Sequence, residues 1–288
     1  MSLPGEPVGP EAVAELVRAQ NPDRWRAALF APADRRPGLM ALAAFDVETA
    51  RVRAAAREAL PGEIRLQWWR DAVLGDGHGD VGAHPVAAEL LAAISRHHLP
   101  AAALAAVAEA RIFDLYDDPL PTLTDLEGYC GETWGALTQL AALVLAAPGT
   151  DPGTGTAAGH AGIALGITAI LRALPRQLAL GQSFLPADVL ARHGASASDW
   201  ADGRAGDGLK SVVGEMAGHA RHHLDRVRAL LPRLPRATLP AFLTLALVPA
   251  RLKRLERAGF DPFAATDIGP LGALVVTTRA ALTARLPG

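Results

Sequence analysis

Three features of the sequence predict an all-α fold. Apolar residues recur at three- and four-residue spacing along most of the chain, and proline, glycine and capping side chains cut that pattern into pieces of helix length. No stretch alternates apolar and polar residues, as a half-buried strand would, over more than a few positions. Half of the 288 residues are hydrophobic, enough for a sizeable core. Helices this apolar must face one another, so the expected architecture is a single domain over residues 1–288, a bundle of about a dozen helices.

Taken in order, Glu11 to Gln20 places Val13, Leu16 and Val17 on one helical stripe, and Asn21-Pro22 ends that helix and caps the next. Pro37 opens a longer helix, PGLMALAAFDVETARVRAAAREAL, with Leu39, Leu42, Phe45, Thr49 and Val52 on one face and Arg51, Arg53 and Arg57 toward its end, where basic residues complement the helix dipole. Pro61-Gly62 is expected to break it. Glu63 to Leu74 follows, with Trp68 and Trp69 about 100° apart on the helix, so at least one of them belongs to the core. A turn-rich GDGHGD precedes a helix begun by His84-Pro85, and Leu99-Pro100 precedes another, which Pro119 and Pro121 close.

Thr124 followed by Glu127 reads as a capping box for the helix of Tyr129, Cys130 and Trp134. After a loop at Pro148 to Gly155 comes AGIALGITAILRALPRQLALGQSFLPADVLARHG. Its small residues, Ala161, Gly162, Ala164, Gly166 and Ala169, suit a helix at the centre of a bundle. That helix has a basic exit at Arg172 and Arg176, which Pro175 is expected to break. Helices over Lys210 to Leu230, Leu239 to Ala258 and Leu271 to Leu286 complete the chain.

A net charge of −2 and scattered arginines without a lysine run exclude nucleic acid as a partner. The single cysteine, Cys130, cannot form an intrachain disulfide and reads as a small core residue. The N-terminal MSLPGEPVGPEAVAELV lacks a basic n-region and an unbroken apolar stretch, so a cytoplasmic protein is expected. The most apolar runs, Trp134 to Ala147 and Leu239 to Ala250, fall short of the roughly 18 to 20 residues that span a bilayer, which leaves peripheral membrane contact open.

Several constellations have both a chemical and a plain reading. His219 and His223 share a helix face at i, i+4 spacing, but without an HExxH glutamate and with Arg221 and Arg226 among them a solvated face is expected. Asp114, Asp117 and Asp118 spell an aspartate-rich DxxDD. Lying beside Pro119, with no second acidic cluster ready to face them, they read as turn residues. No phosphate-binding glycine loop or G-x-S-x-G is present.

The ordered blocks ALAAFDVETARVR, RLQWWRDAV, His84-Pro85-Val86, DLEGYC, GIALGITAILR, FLPADVLARHG and LVPARLKRLERAGFDPF resemble the squalene/phytoene synthase family over nearly the whole chain. The resemblance implies an isoprenoid-synthase-type helical bundle around a central cavity, in which two aspartate-rich motifs hold magnesium ions that bind a prenyl diphosphate. Magnesium needs hard oxygen ligands. Laid on the first motif, this chain has Ala50, Arg51 and Ala54 where acids would stand, with Glu48 just outside. On the second it has Ala169 at the usual asparagine, Ala173 and Gln177 at the usual aspartates and Arg176 at a usual acid, while Arg172 is kept.

No catalytic residue, metal or cofactor is therefore expected. The similarity is greater to the branch that acts in biogenesis of NADH dehydrogenase, respiratory complex I. It implies an assembly or scaffold protein with a protein partner in that process. The alternative is a prenyl-diphosphate transferase in which Arg51, Arg172 and Arg176 clamp an anionic or isoprenoid ligand directly, with magnesium needed only in that case. Tyr129 would line the same cavity.

Overall fold

The computed structural model describes residues 9–288 apart from 57, 118 and 201, and apart from the side chain of residue 198. Residues 1–8 of the N-terminal segment, Arg57 and Asp118 discussed above lie outside the described residues. Fifteen α-helices, with short 3₁₀ turns and one π turn between them, make up the regular structure among the described residues. In chain order they are α1 (Pro10–Gln20), α2 (Pro22–Ala28), α3 (Arg36–Ala50), α4 (Val52–Ala55), α5 (Ala59–Leu74), α6 (Pro85–His97), α7 (Ala101–Ala110) and α8 (Leu123–Cys130). There follow α9 (Ala136–Leu145), α10 (Gly155–Ala179), α11 (Ala187–Arg192), α12 (Asp207–Leu230), α13 (Leu239–Phe242), α14 (Val248–Arg257) and α15 (Pro270–Thr283).

The helices gather into two units. One takes the chain through Tyr116 together with Ala136–Gly155 and Leu234–Leu243, and the other takes Asp117–Gly135, Thr156–Arg233 and Thr244–Gly288. The first is organised around α3, whose residues from Gly38 to Phe45 are all buried because α1, α2, α6 and α9 cover it on every side. Phe45 is fully buried and meets Trp69 of α5 edge to face at 5.5 Å, each ring worth roughly 1.5–3 kcal/mol of burial. Trp68 is only partly buried and packs on Trp69 and His84. Asn21 caps α2 through Arg24 N–H, and the His84 ring caps α6 through Ala87 N–H. Both follow the expected starts at Asn21-Pro22 and His84-Pro85.

Asp114 lies in the 3₁₀ turn Arg111–Leu115 and accepts from Arg111, whose other nitrogen reaches Asp46 of α3 at 3.0 Å. One helix break falls earlier than expected. The chain leaves α3 at Ala50, and Pro61-Gly62 sit in the first turn of α5. Proline is tolerated there because its missing N–H would have had no partner. Gly62 is favoured for a different reason, since a Cβ would stand 2.7 Å from Leu115 Cδ2 and the buried leucine would have to shift.

The second unit is built on α10. It is the one helix among the described residues long and apolar enough to cross a membrane, but 61% of its most apolar window is buried, as befits a core helix. Its small residues admit α8 and the π turn Gly131–Gly135 at close range. A Cβ on Gly162 would fall 2.3 Å from Gly135 N, and one on Gly166 would fall 2.4 Å from Cys130 Sγ. Cys130 is fully buried, as its core reading requires.

The capping box of α8 is Thr122 with Asp125, two residues before the expected pair, because Thr122 is the extended residue at which the chain turns into the helix. Asp188, from the FLPADV block, accepts from Leu123 N–H, and Ala187 N–H donates to Leu120 O, which ties the start of α11 to the entry of α8. Pro175 does not break α10. The helix continues to Ala179, because a proline near the end forfeits one hydrogen bond while burial of Leu171 and Leu174 holds the last turns in place.

Candidate functional site

The last turns of α10 present Arg172, Ala173, Arg176 and Gln177. Arg172 and Arg176 are exposed, and Gln177 has a buried Oε1 without a hydrogen-bond partner. Arg172 forms an ion pair with Asp267, in the segment between α14 and α15, and Arg251 Nε of α14 donates to the same carboxylate at 3.1 Å. Burial pushes the Asp267 carboxyl up, but Arg251 and Arg172 beside it and the Ile268 N–H hold it below its ordinary value. Arg172, Arg251 and Asp267 line a cavity of about 130 Å³ with Leu171, Leu252, Leu255 and Pro262. Chemically it is an apolar hollow with a two-arginine grip for an oxyanion, and the chain's own Asp267 fills that grip.

The other substituted motif lies in the first unit. Ala50 closes α3, Arg51 joins it to α4, and Ala54 lies in α4, the two alanines being exposed. Arg51 donates to Glu48 at 2.5 Å, and Arg65 reaches the second oxygen of the same buried carboxylate at 3.4 Å. The acid nearest the first motif is thus held between two arginines. The donor set of both motifs, methyl groups, guanidinium groups and one neutral amide, does not fit magnesium. Tyr129 is buried in the second unit, stacked on Phe184 at 5.8 Å and edge-on to Trp134 at 5.9 Å.

The solvated face expected for His219 and His223 holds only in part: His219 is partly exposed, but His223 is buried. His223 is 7% exposed, its Nδ1 lies 2.9 Å from Nδ1 of His160 on α10, and its Nε2 lies 3.2 Å from Glu127 of α8. His219 and Glu215 continue the row at 3.9–4.0 Å spacings, and Glu215 in turn holds His193 at 2.7 Å and Arg192 at 2.9 Å. Only His223 is enclosed where three helices pack; His219, Glu127 and Glu215 keep 35%, 28% and 24% of their side-chain surface exposed. The i, i+4, i+8 register of Glu215, His219 and His223 is visible in the sequence, but the partners Glu127 and His160 are not. Among the described residues, no group of three or more such side chains converges on a point as a metal site requires.

Burial lowers the pKa of both His160 and His223, with Arg226 and His222 adding to it at His160 and Glu127 opposing it at His223. Both rings resist protonation in the folded chain at a pH where an unfolded histidine, near 6.5, accepts a proton. Between those values the unfolded state binds more protons, so stability falls as pH drops below about 6.5 and levels off beneath the folded values. Melting at pH 5.5 should come a few degrees below melting at pH 7.5. The gap should shrink in a His160→Gln/His223→Gln variant and persist in part through His84 and His97, whose values burial also lowers.

Comparison with solved structures places the chain in a class, the all-helical isoprenoid-synthase fold. The squalene synthase HpnC from Alicyclobacillus acidocaldarius superposes with a TM-score of 0.73 over 87% of this chain and 94% of that one at 22% identity. A dehydrosqualene synthase bound to a ligand gives 0.79 over 94% and 95% at 15% identity. The chain belongs to the squalene/phytoene synthase family, whose family model matches residues 17–283. Among curated relatives, NADH dehydrogenase (ubiquinone) complex I, assembly factor 6 from Rattus norvegicus is 35% identical over 91% of this chain and 78% of its own length. The protein of the same name from Homo sapiens is 32% identical over 86% and 74%.

Proposed function

We propose that this chain is a member of the family that does not condense prenyl diphosphates and serves as an assembly or scaffold factor for respiratory complex I, working on the cytoplasmic side as a peripheral protein of the inner membrane. The observation that carries this reading is the fate of the acids. Every aspartate position of the two motifs holds alanine, arginine or glutamine, Glu48 lies between Arg51 and Arg65, and Arg172 is paired with Asp267. Relatives at 32–35% identity that carry the assembly-factor name support the same reading.

Deletion of the gene should reduce assembled NADH dehydrogenase in membranes several-fold, restored by the wild-type chain; unchanged complex levels would sink the proposal. A second reading draws on the two arginines gathered at Asp267, an arrangement that could grip a diphosphate without metal. Purified protein given farnesyl or geranylgeranyl diphosphate with magnesium separates the two: release of pyrophosphate favours the second, and none is expected.

A further inference from the structure

Helix α15 is built inside out. Its buried stripe is small, Ala273, Thr277 and Ala280, whereas Leu271, Leu274, Val275 and Leu282 are 74%, 45%, 58% and 78% exposed. Spacings of three, four and eleven residues from Leu271 put these four on one face, a row about 16 Å long at the helical rise. A helix apolar on both sides is one that something covers on both sides. At 14 residues it is too short to cross a bilayer, which takes about 20.

The charges around the row indicate what covers it. Arg279 and Arg285 are exposed beside Leu282, and residues 270–288 contain no aspartate or glutamate, in a chain whose net charge is −2. Leu60 and Ile64 on α5 are comparably exposed, but Glu58 and Glu63 accompany them, so an anionic surface would repel that patch. A second copy fits α15 poorly, because a symmetric contact would set two arginine-bearing, acid-free helices against each other. Exposed leucines and a valine along one helix face, with arginines beside them, are the composition that sinks into the boundary between headgroups and acyl chains.

We propose that the outward face of α15 is a membrane-docking surface that lies in the plane of an anionic bilayer, with Leu271, Leu274, Val275 and Leu282 inserted and Arg279 and Arg285 on the phosphate groups. This names the surface behind the peripheral membrane position proposed above and rests on that part of the reading. The test is co-sedimentation of the full chain with vesicles of phosphatidylcholine alone, or of phosphatidylcholine with one-third phosphatidylglycerol.

Binding should be several-fold stronger to the anionic vesicles, should weaken with salt, and should fall about tenfold in Leu271→Ser/Leu282→Ser, since apolar insertion carries the affinity. Arg279→Glu/Arg285→Glu should abolish the preference for phosphatidylglycerol. A melting curve shows whether each variant folds, and Leu282→Gln, at the most exposed site, serves if the pair does not. Absence of vesicle binding, or binding indifferent to folded leucine variants, overturns the proposal. So does a wild-type dimer that the leucine pair converts to monomer, because the face would then be covered by a second copy. Failure here leaves the complex I reading intact, since that one is read from NADH dehydrogenase levels in the deletion strain.

Discussion

Replacing Arg111 with methionine should destabilise the protein by about 3–5 kcal/mol, the usual cost of removing one partner from a buried ion pair. Arg111 is 4% exposed and bridges Asp46 of α3 at 3.0 Å and Asp114 at 3.4 Å, while Arg24 of α2 holds the far oxygen of Asp46 at 3.4 Å. Without Arg111, Asp46 keeps only the longer contact to Arg24, in surroundings too dry to solvate a carboxylate. A fall of roughly 10 °C in melting temperature is expected at this chain length. The variant Arg111→Met/Asp46→Leu should recover part of the loss, because removing both charges also removes the uncompensated one. A loss below about 1 kcal/mol for the single variant would show that water reaches the cluster.

A pair of glycine variants on α10 should move stability in opposite directions. Gly159→Ala places its methyl in open space, so the helix gains the ordinary preference of alanine over glycine, about 0.5–1 kcal/mol. Gly162→Ala, three residues on, meets Gly135 N at 2.3 Å, Gly135 Cα at 2.4 Å and Cys130 O at 2.9 Å. All three are backbone atoms, which cannot rotate aside, so α10 would have to move off the π turn. The propensity gain is still present but smaller than the packing loss, and a net destabilisation of about 2 kcal/mol or more is expected. Denaturant unfolding of the two variants side by side checks this, and a Gly162→Ala protein as stable as wild type would contradict the close crossing.

The helical fold was legible because its evidence is local. Asn21-Pro22, His84-Pro85 and the apolar spacing of α1 act within a turn or two of themselves, and the structure follows them. Prolines were harder to read. Pro61 and Pro175 look like breaks in sequence, yet Pro61 falls in a first turn where its N–H would have no partner, and at Pro175 the burial of Leu171 and Leu174 offsets the hydrogen bond lost, which only the surrounding packing shows.

Within the site, the substituted positions were legible by register, from Ala50 through Gln177. What those residues touch was not. Arg172 meets Asp267 from 95 residues away, and His223 meets His160 and Glu127 across 63 and 96. No periodicity carries that information, so His223 read as solvated when two other helices enclose it.

The carboxylate between Arg172 and Arg251 behaves as a tethered competitor. Asp267 sits on a connection only sixteen residues beyond Arg251, and a group held on so short a leash presents itself to its binding partners at an effective concentration on the order of millimolar. A free phosphate or diphosphate must outcompete that standing occupant, so traces of prenyl diphosphate would find the grip closed. Only a ligand with several contacts at once, or a movement of the segment after α14, would open it.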